Sequence, residues 1–515
     1  MSNQTSDNNK RIAKNTMMLY MRMLFSMLVT LYTSRVVLDK LGVSDFGTYN
    51  VVGGICTLFT FLNGTLSSST HRFLIYEIGK RNVEKLKKVF STSLFNHILI
   101  ALCIFILCET IGIWLLENKL VIEPDRMNAA RVVFQFSIIT CVLVILNTPF
   151  NAAIISHEKM SFFAYISVVE VVLRLAVVYL LCFSIWDNLM LYSLLLLIVQ
   201  LIVNICYYAY AKKHFVEARL SIKKDKSIQR EMLSFASWGL VGNLSAIMSN
   251  QGFNILINMF FGSGVNAARG IALQAQNAVT RFGSNFQMAL NPQIIKSYAV
   301  GDLEYMRSLM YKSINYTFYL LFILSLPIYL EIEYLLTLWL GKYPEMSDVF
   351  FRYMLICTII ESLANPFPRV AEASGNIKKY QIIVGGLVLM NIPTSYILLK
   401  MGLPVETAFL TMVLYALAAF IARYILVKDL AKLNLKEFCS KVIYKNALIV
   451  LLSTIIPLYF RLSMDDTFIR LVLVASSSLV SCCITFWFIG FSKNEKKFVM
   501  GYINKIIKKY GYNRK

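Results

Sequence analysis

Asparagine side chains recur at helical spacing inside one apolar stretch of the chain. Within residues 232–261, Asn243, Asn250, Asn254 and Asn258 are separated by seven, four and four positions. This spacing places the four amides near one face of a helix. An amide that faces lipid loses its hydrogen bonds to water without replacement. The face must therefore meet either a water-filled cavity or amides of a neighbouring helix, which would act as interhelical glue.

The next apolar stretch, 267–290, repeats this arrangement and adds a charge. It contains Gln274, Asn277, Arg281 and Asn285 at spacings of three, four and four. Two adjacent polar helices supply more amides than one packed interface needs. The pair therefore favours a polar cavity over interhelical hydrogen bonding, although both interpretations remain open.

Arginine within or beside these apolar stretches indicates what such a cavity would bind. A guanidinium binds phosphate oxygens in pairs and keeps its charge when it is desolvated, whereas amides suit sugar hydroxyls. A cationic cavity with amide walls therefore suits a diphosphate-linked sugar better than a cationic drug. The alternatives for these arginines are anchoring at the membrane interface and snorkelling. The candidate substrate-binding residues are Arg22, Arg35, Asn243, Asn250, Asn254, Arg269, Gln274, Asn277, Arg281 and Asn285.

Two carboxylates in apolar stretches are candidates for ion coupling. Buried acids are costly in a membrane and often mark proton or cation sites. Glu170 precedes Arg174 by four residues, so the two side chains can instead form a structural ion pair on one helical face. Glu361 lies four residues before Asn365-Pro366, where proline can open the helix backbone. A hydrogen bond to a neighbouring group is the alternative for Glu361.

The composition requires that membrane-spanning helices position these residues. The chain has 515 residues, of which 57% are hydrophobic and only 16% are charged, against about 25% charged in a soluble domain. We predict an all-α polytopic membrane protein with about fourteen transmembrane helices of roughly 20 residues each. The predicted spans are 12–36, 46–70, 89–115, 128–154, 161–185, 188–210, 232–261, 267–290, 311–332, 348–368, 379–399, 404–427, 442–461 and 467–490.

The positive charges predict the orientation of the chain. Most of the 51 Lys and Arg residues fall in alternate segments between the spans. The positive-inside rule then places both termini in the cytoplasm. Membrane topology therefore explains the net charge of +22, and no basic stripe with stacking aromatics indicates nucleic-acid binding.

Matching features at nearly one offset indicate an internal repeat. Gly42 and Gly262 each precede a weakly apolar helix, and Asn147-Thr148-Pro149 and Asn365-Pro366 each lie at the end of a span. We predict two six-helix repeats of the same orientation around a central cavity, followed by two extra helices. The predicted domains are an N-terminal lobe at 1–215, a C-terminal lobe at 216–435, two appended helices at 436–490 and a basic cytoplasmic tail at 491–515.

Two short stretches resemble a known family. Residues 35–42, RVVLDKLG, and 45–49, DFGTY, are similar to the end of the first helix and the start of the second in Wzx-type polysaccharide flippases. These flippases belong to the multidrug/oligosaccharidyl-lipid/polysaccharide exporter superfamily. The resemblance implies two lobes around a cavity in the bacterial inner membrane. It also implies alternating-access flipping of undecaprenyl-diphosphate-linked oligosaccharide, driven by an ion gradient, with membrane lipid and other polysaccharide-assembly membrane proteins as partners.

Other functions compete with the flippase interpretation. A multidrug or cation antiporter of the same superfamily would favour an acidic cavity, and a lipid II flippase is a close variant. A membrane-embedded polysaccharide polymerase or acyltransferase should carry a large catalytic loop or a His/Asp cluster, but the longest outer loop, 333–347, has no His. The ten cysteines lack paired CxxC motifs, and no phosphate-binding Gly-Lys-Thr/Ser loop occurs. We therefore predict no enzyme activity, no metal, no cofactor and no direct use of ATP.

Overall fold

The structure of the chain is a computed structural model. It describes residues 15–30, 32–33, 36–37, 40–41, 45, 48–49, 52–53, 61–118, 122, 124–181, 186–219, 225–493, 495–497 and 500. The elements in this part of the chain are helices, with no strand among them. The predicted all-α class is confirmed.

In the described part of the chain, several long helices precede Gly262, where a non-helical backbone conformation interrupts the helix. They are α1 (15–30), α2 (Phe61–Lys80), α3 (Val83–Asn118), α4 (Met127–Ser156), α5 (Met160–Leu181), α6 (Asn188–His214) and α7 (Lys226–Gly262). Several begin at a capping side chain. Asp187 accepts from the backbone N–H groups of Leu189 and Met190 at the start of α6. Asp225 accepts from those of Ser227 and Ile228 at the start of α7. Such caps satisfy backbone donors that the first helical turn leaves free.

Further helices follow the break in the described ranges. They are α8 (263–299), α9 (Leu303–Leu330), α10 (Ile332–Leu340), α11 (Ser347–Ala364), α12 (Phe367–Ser374), α13 (Lys378–Lys400), α14 (Glu406–Lys428), α15 (Leu435–Ser463) and α16 (Phe468–Gly490). Asn365 ends α11, as the Asn-Pro motif predicts. Pro149 behaves differently, because α4 continues through it to Ser156.

Ten helices in the described ranges are long and apolar enough to cross a membrane: α3 to α7, α9 and α13 to α16. Four predicted spans are not among them. The spans 12–36 and 46–70 lie partly outside the described residues, whereas 267–290 and 348–368 form the helices α8 and α11. The amide stripe of α8 and the charged residues of α11 lower their hydropathy. Both helices nevertheless occur where the sequence predicts them.

The chain forms two compact units. Unit 1 contains residues 1–244, 288–302 and 371–382, and unit 2 contains 245–287, 303–370 and 383–515. In unit 1, a core cluster around Ile104 and Phe134 joins α3 to α4. In unit 2, Phe350 and Phe409 stack with ring centroids 4.1 Å apart. The units group residues by contact and do not follow the lobe boundaries at 215 and 435, so the lobes stay a prediction.

The last two helices, α15 and α16, belong to unit 2. Ile449 of α15 and Val474 and Cys482 of α16 form one apolar cluster with Phe318 and Phe322 of α9. This packing fixes the appended helices against the second half of α9.

Candidate functional site

Arg269 donates hydrogen bonds to two of the predicted substrate-binding asparagines in unit 2. Its side chain on α8 is only 6% exposed. Nη1 donates to Oδ1 of Asn254 at 3.1 Å, and Nη2 donates to Oδ1 and to the carbonyl oxygen of Asn250 at 2.7 and 3.1 Å. The guanidinium also lies 5.5 Å from the ring centroid of Phe253. These contacts tie α8 to α7 beyond the break at Gly262.

The contacts of Arg269 have features of both interpretations of the amide stripe, interhelical glue and a polar cavity. Asn250 and Asn254 hydrogen-bond across two helices, as interhelical glue would. Their partner is a full positive charge, and no carboxylate pairs with Arg269 in the described part of the chain. Nε of Arg269 is buried without a partner in the same part of the chain. The cluster is therefore a buried cationic centre that amide dipoles stabilise.

Arg281 lies on the same helix in a different environment. Its side chain is exposed, as are those of Gln274 and Asn277, while Asn285 is half-buried and donates to the carbonyl oxygen of Arg281 at 3.0 Å. No ion pair involves Arg281 within the described ranges. The predicted stripe of α8 therefore exposes the guanidinium of Arg281, which has no ion pair in the described ranges, beside the amides of Gln274 and Asn277.

The opposite face of α8 contains an amide that the sequence analysis passed over. Gln276 donates Nε2 to the carbonyl oxygen of Met354 at 3.1 Å and to the Thr358 hydroxyl at 3.0 Å on α11. Gln276 lies only two residues after Gln274 and one before Asn277, and this spacing puts its side chain on another face of α8. Gln276 is a packing amide rather than part of the exposed stripe.

Other predicted binding residues lie in unit 1 or outside the described residues. Asn243 is exposed on α7. Arg22 on α1 is half-buried, donates Nη1 to the Ser167 hydroxyl at 3.4 Å and lies 4.7 Å from the Phe163 ring centroid. Arg35 and the side chain of Asn258 lie outside the described residues.

The two predicted coupling carboxylates differ in their partners. Oε1 of Glu170 accepts from Nε and Nη2 of Arg174 at 3.1 and 2.8 Å, which confirms the predicted ion pair on α5. Glu361 on α11 is exposed and is attracted electrostatically by Arg423 of α14. Nε of Arg423 is buried without a hydrogen-bond partner among the described residues. Among the described residues, Glu170 thus has an ion-pair partner and Glu361 has none.

A buried ion pair at the predicted cytoplasmic side was not predicted from the sequence. Glu158, in the turn between α4 and α5, accepts from Lys296 Nζ at 2.6 Å and from Gln293 Nε2 at 2.7 Å. The side chain of Glu158 is 1% exposed. Its only sequence signal is a charge in a short turn, because the partners lie on α8, far along the chain.

Arg72 makes a second long-range connection in unit 1. This side chain of α2 donates Nε to the carbonyl oxygen of Glu372 at 2.9 Å and Nη2 to that of Ala373 at 3.3 Å. Gly375 follows with a φ of +80°, and a Cβ there would lie 2.6 Å from Nη2 of Arg72. Glycine suits this position, because any other residue would be strained at this φ and its Cβ would displace the Arg72 guanidinium from its hydrogen bonds.

A charged cluster near α10 of unit 2 includes a shifted carboxyl group. Glu333 accepts from Arg352 Nη2 at 2.8 Å and from Arg461 Nη2 at 3.0 Å. The hydrogen bond from Arg352, with the charges of both arginines, holds the pKa of Glu333 below its usual range. Nearby, buried Arg470 pairs with buried Glu331 at 2.8 Å.

Comparison with known proteins identifies the fold. Residues 17–180 match the MatE family model. The structure is similar to the crystal structure of MATE in the bent conformation, with a TM-score of 0.71, 12% identity, and coverage of 83% of this chain and 96% of that chain. The chain has the fold of the MATE transporters. No curated protein sequence matches.

Two further solved structures share this fold. One is the outward-facing conformation of a multidrug resistance MATE family transporter of the MOP superfamily, with a TM-score of 0.68, 13% identity, and 82% of this chain and 96% of that chain covered. The other is a MOP superfamily transporter from Pyrococcus furiosus, for which a reversed polarity of the binding pocket suggests a different function. Its TM-score is 0.63 at 13% identity, with 82% of this chain and 96% of that chain covered. The chain is thus an all-α polytopic membrane protein with the MATE fold.

Proposed function

We propose that this protein is a secondary transporter of the MOP superfamily. The observation that carries the proposal is the similarity to MATE transporters over 83% of the chain, together with the MatE match at 17–180. A transporter of this fold needs no nucleotide-binding domain. A membrane enzyme, by contrast, has no support from the similar structures.

For the substrate, we propose undecaprenyl-diphosphate-linked oligosaccharide, flipped across the bacterial inner membrane. Arg281 supports this choice, because an exposed guanidinium on a helix with neighbouring amides can bind a diphosphate through paired hydrogen bonds. Gln274 and Asn277 would contact sugar hydroxyls from the same stripe. The amide-held charge of Arg269 adds positive potential to α8.

A multidrug or cation antiporter is the second candidate, and the similar structures favour it over the first. One of them is a multidrug resistance transporter. Glu361 has no hydrogen bond or ion pair in the described part of the chain, and this carboxylate is the observation that fits a cation, as substrate or as coupling ion. Glu361 is also a better candidate for ion coupling than Glu170, whose carboxylate Arg174 already neutralises.

Substitution of Arg281 tests the flippase proposal. Arg281→Ala should abolish surface polysaccharide when the gene complements a flippase-deficient strain, and Arg281→Lys should restore it partially, because lysine keeps the charge but lacks the planar fork. Arg131→Ala is the matched control, since Arg131 is exposed and paired with Glu117. The amount of protein in the membrane is measured in parallel.

The outcomes separate the two candidates. Full polysaccharide from Arg281→Ala at the wild-type protein level would exclude the diphosphate role. Liposomes that contain the purified protein then test the antiporter. Export of a fluorescent organic cation by the wild type, lost in Glu361→Gln, without any flipping of lipid-linked sugar would establish the second candidate.

A further inference from the structure

A cavity in unit 2 lies apart from the amide stripe of α8. Its volume is about 500 Å³. Its walls come from the first turns of α9, the start of α15 and the residues that end and follow α16. All three segments are predicted to be cytoplasmic, and each lies at the end of a helix that could cross a membrane. The cavity is therefore expected at the level of lipid headgroups.

The α9 wall is one continuous helical face. Glu304, Arg307, Tyr311, Lys312 and Asn315 recur at intervals of one, three or four residues and all line the cavity. Such intervals bring side chains to one side of a helix. The polar face of α9 is therefore turned toward this cavity, although its next turns enter the apolar cluster with α15 and α16.

The second wall has unusual helix geometry. Lys441 of α15 lies within a π-helical segment, Cys439–Tyr444, and Lys445 follows it. A second π-helical segment, Phe486–Gly490, ends α16 at the same cavity. π-helical turns widen a helix at a cost in stability and frequently occur at functional sites.

The charges of the cavity favour an anion. Four basic and three acidic side chains line it. Glu437 is neutralised by Lys441 at 2.6 Å, whereas Glu495 accepts from the hydroxyl of Tyr316 and from the backbone of Ser492 and keeps its negative charge. The third acid, Glu304, is exposed. The lining therefore has a net charge of +1.

Two of the bases, Lys312 and Lys445, have no hydrogen bond or ion pair with the part of the chain that the structure describes. Lys445 lies 5.9 Å from the ring centroid of Tyr319. The carboxylate of Glu495 attracts both lysines electrostatically without a hydrogen bond to either, so their ammonium groups can still donate to a ligand.

A buried hydroxyl provides an independent indication of a ligand. Tyr311 is only 8% exposed, and its hydroxyl is buried without a hydrogen-bond partner among the described residues. A buried hydroxyl without a partner is costly, and such groups usually mark a missing water, ion or ligand. An acceptor oxygen bound in the cavity would satisfy it.

We propose that this cavity binds the phosphodiester of an anionic phospholipid, with Lys312, Lys445 and the hydroxyl of Tyr311 as donors. A lipid is favoured over a soluble phosphate because the cavity lies at the ends of membrane-crossing helices. Basic groups at the cytoplasmic surface attract anionic lipids. This site does not depend on which substrate the protein transports.

Lipid titration of the full-length protein in a neutral detergent tests the proposal. The thermal unfolding midpoint is measured against short-chain phosphatidylglycerol, phosphatidylcholine and inorganic phosphate. Phosphatidylglycerol should raise the midpoint, because a ligand that binds only the folded state stabilises it. The Lys312→Gln/Lys445→Gln double variant should need about tenfold more of this lipid, since hydrogen bonds to charged groups are lost.

Two further variants guard against misfolding and non-specific attraction. Tyr311→Phe keeps every charge and nearly the same volume, and it should weaken binding in the same direction but less. Lys87→Gln/Lys379→Gln removes two exposed lysines from outside the cavity, and it should bind like the wild type. If the Lys312→Gln/Lys445→Gln variant does not fold, weaker lipid binding by Tyr311→Phe supports the site and unchanged binding excludes it.

Several results would overturn the proposal. Wild-type binding by the cavity variants would exclude the site, and equal weakening by the control pair would indicate only surface attraction. Equal stabilisation by inorganic phosphate would replace the lipid with a soluble anion. Equal stabilisation by phosphatidylcholine would exclude selection for an anionic lipid.

Discussion

Arg269 and Arg281 lie on the same helix but have opposite relations to the rest of unit 2. Arg269 is buried and its terminal nitrogens donate to Asn250 and Asn254, whereas Arg281 is exposed and makes no ion pair in the described part of the chain. A buried charge is tolerated only when fixed dipoles or counter-charges replace water. We therefore infer that Arg269 stabilises the fold and that Arg281 is available to a ligand.

Alanine substitution should separate these two roles. Arg269→Ala should lower the free energy of unfolding by about 1–3 kcal/mol, because the amide oxygens of Asn250 and Asn254 lose their donors. Arg281→Ala should leave this free energy nearly unchanged. Unfolding of both purified variants in detergent, followed by intrinsic fluorescence, provides the measurement. Equal stability of the two variants would contradict the assignment.

A pH effect is expected from Glu333. Its pKa is lowered by the hydrogen bond from Arg352 and by the charges of Arg352 and Arg461. A carboxyl group with a lowered pKa in the folded state contributes stability above its unfolded pKa, about 4.3 for Glu. This contribution is lost as the pH falls through the folded pKa.

The matched test compares two glutamate variants. Glu333→Gln should be less stable than the wild type at pH 7, by about 1 kcal/mol or less because solvent screens the pair, and this difference should shrink below about pH 4. Glu345→Gln is the control, since Glu345 is exposed and has no ion pair within the described ranges. Thermal unfolding midpoints across the pH range give the readout. A stability difference that does not change with pH would refute the effect.

At the scale of elements, the break between α7 and α8 depends on Gly262. Its backbone has φ of +78° and ψ of −171°, a conformation that is essentially restricted to glycine. This break lets Arg269 of α8 meet Asn250 and Asn254 of α7. A continuous helix would move these residues apart along its axis, since each residue adds about 1.5 Å.

Replacement of Gly262 should therefore weaken unit 2. Gly262→Ala is expected to cost about 1–3 kcal/mol through backbone strain. The control is Gly270→Ala, at a helical position with open space around the added Cβ, which should gain about 0.5–1 kcal/mol. Denaturation of both variants in the same detergent measures the difference. Unchanged stability in Gly262→Ala would show that the break tolerates a side chain.

At the scale of the whole molecule, the charge pattern predicts which ends of the helices face the cytoplasm. Lys213 at the end of α6 should be cytoplasmic, and Lys342 after α10 should be periplasmic. Both side chains are exposed. Cysteine introduced at 342 should react with an impermeant thiol reagent in whole cells, whereas cysteine at 213 should react only after the membrane is opened.

The native cysteines must be replaced first, because Cys103 and Cys483 are exposed. A cysteine at 213 that reacts in intact cells, with 342 protected, would invert the proposed topology. It would also place the cavity beside Lys312 on the periplasmic side.

Features that depend on one helix at a time could be predicted from the amino-acid sequence. Apolar runs predicted the helices, and capping residues such as Asp187 lie where their first turns need acceptors. The Glu170–Arg174 pair followed from a spacing of four, and the α8 stripe followed from the same periodicity. These features were readable because the helical repeat fixes which neighbours along the chain share a face.

Which helices contact each other depends on the packing of the whole fold. The partners of Glu158 lie 135 and 138 residues away, and those of Arg72 lie 300 and 301 away. The helical repeat places Arg269 off the stripe that contains Arg281, but it cannot show which of the two guanidinium groups a neighbouring helix binds. Their difference arises from the rotation of α8 against α7 and from the break at Gly262. Packing sets that rotation, and periodicity within a single helix does not encode it.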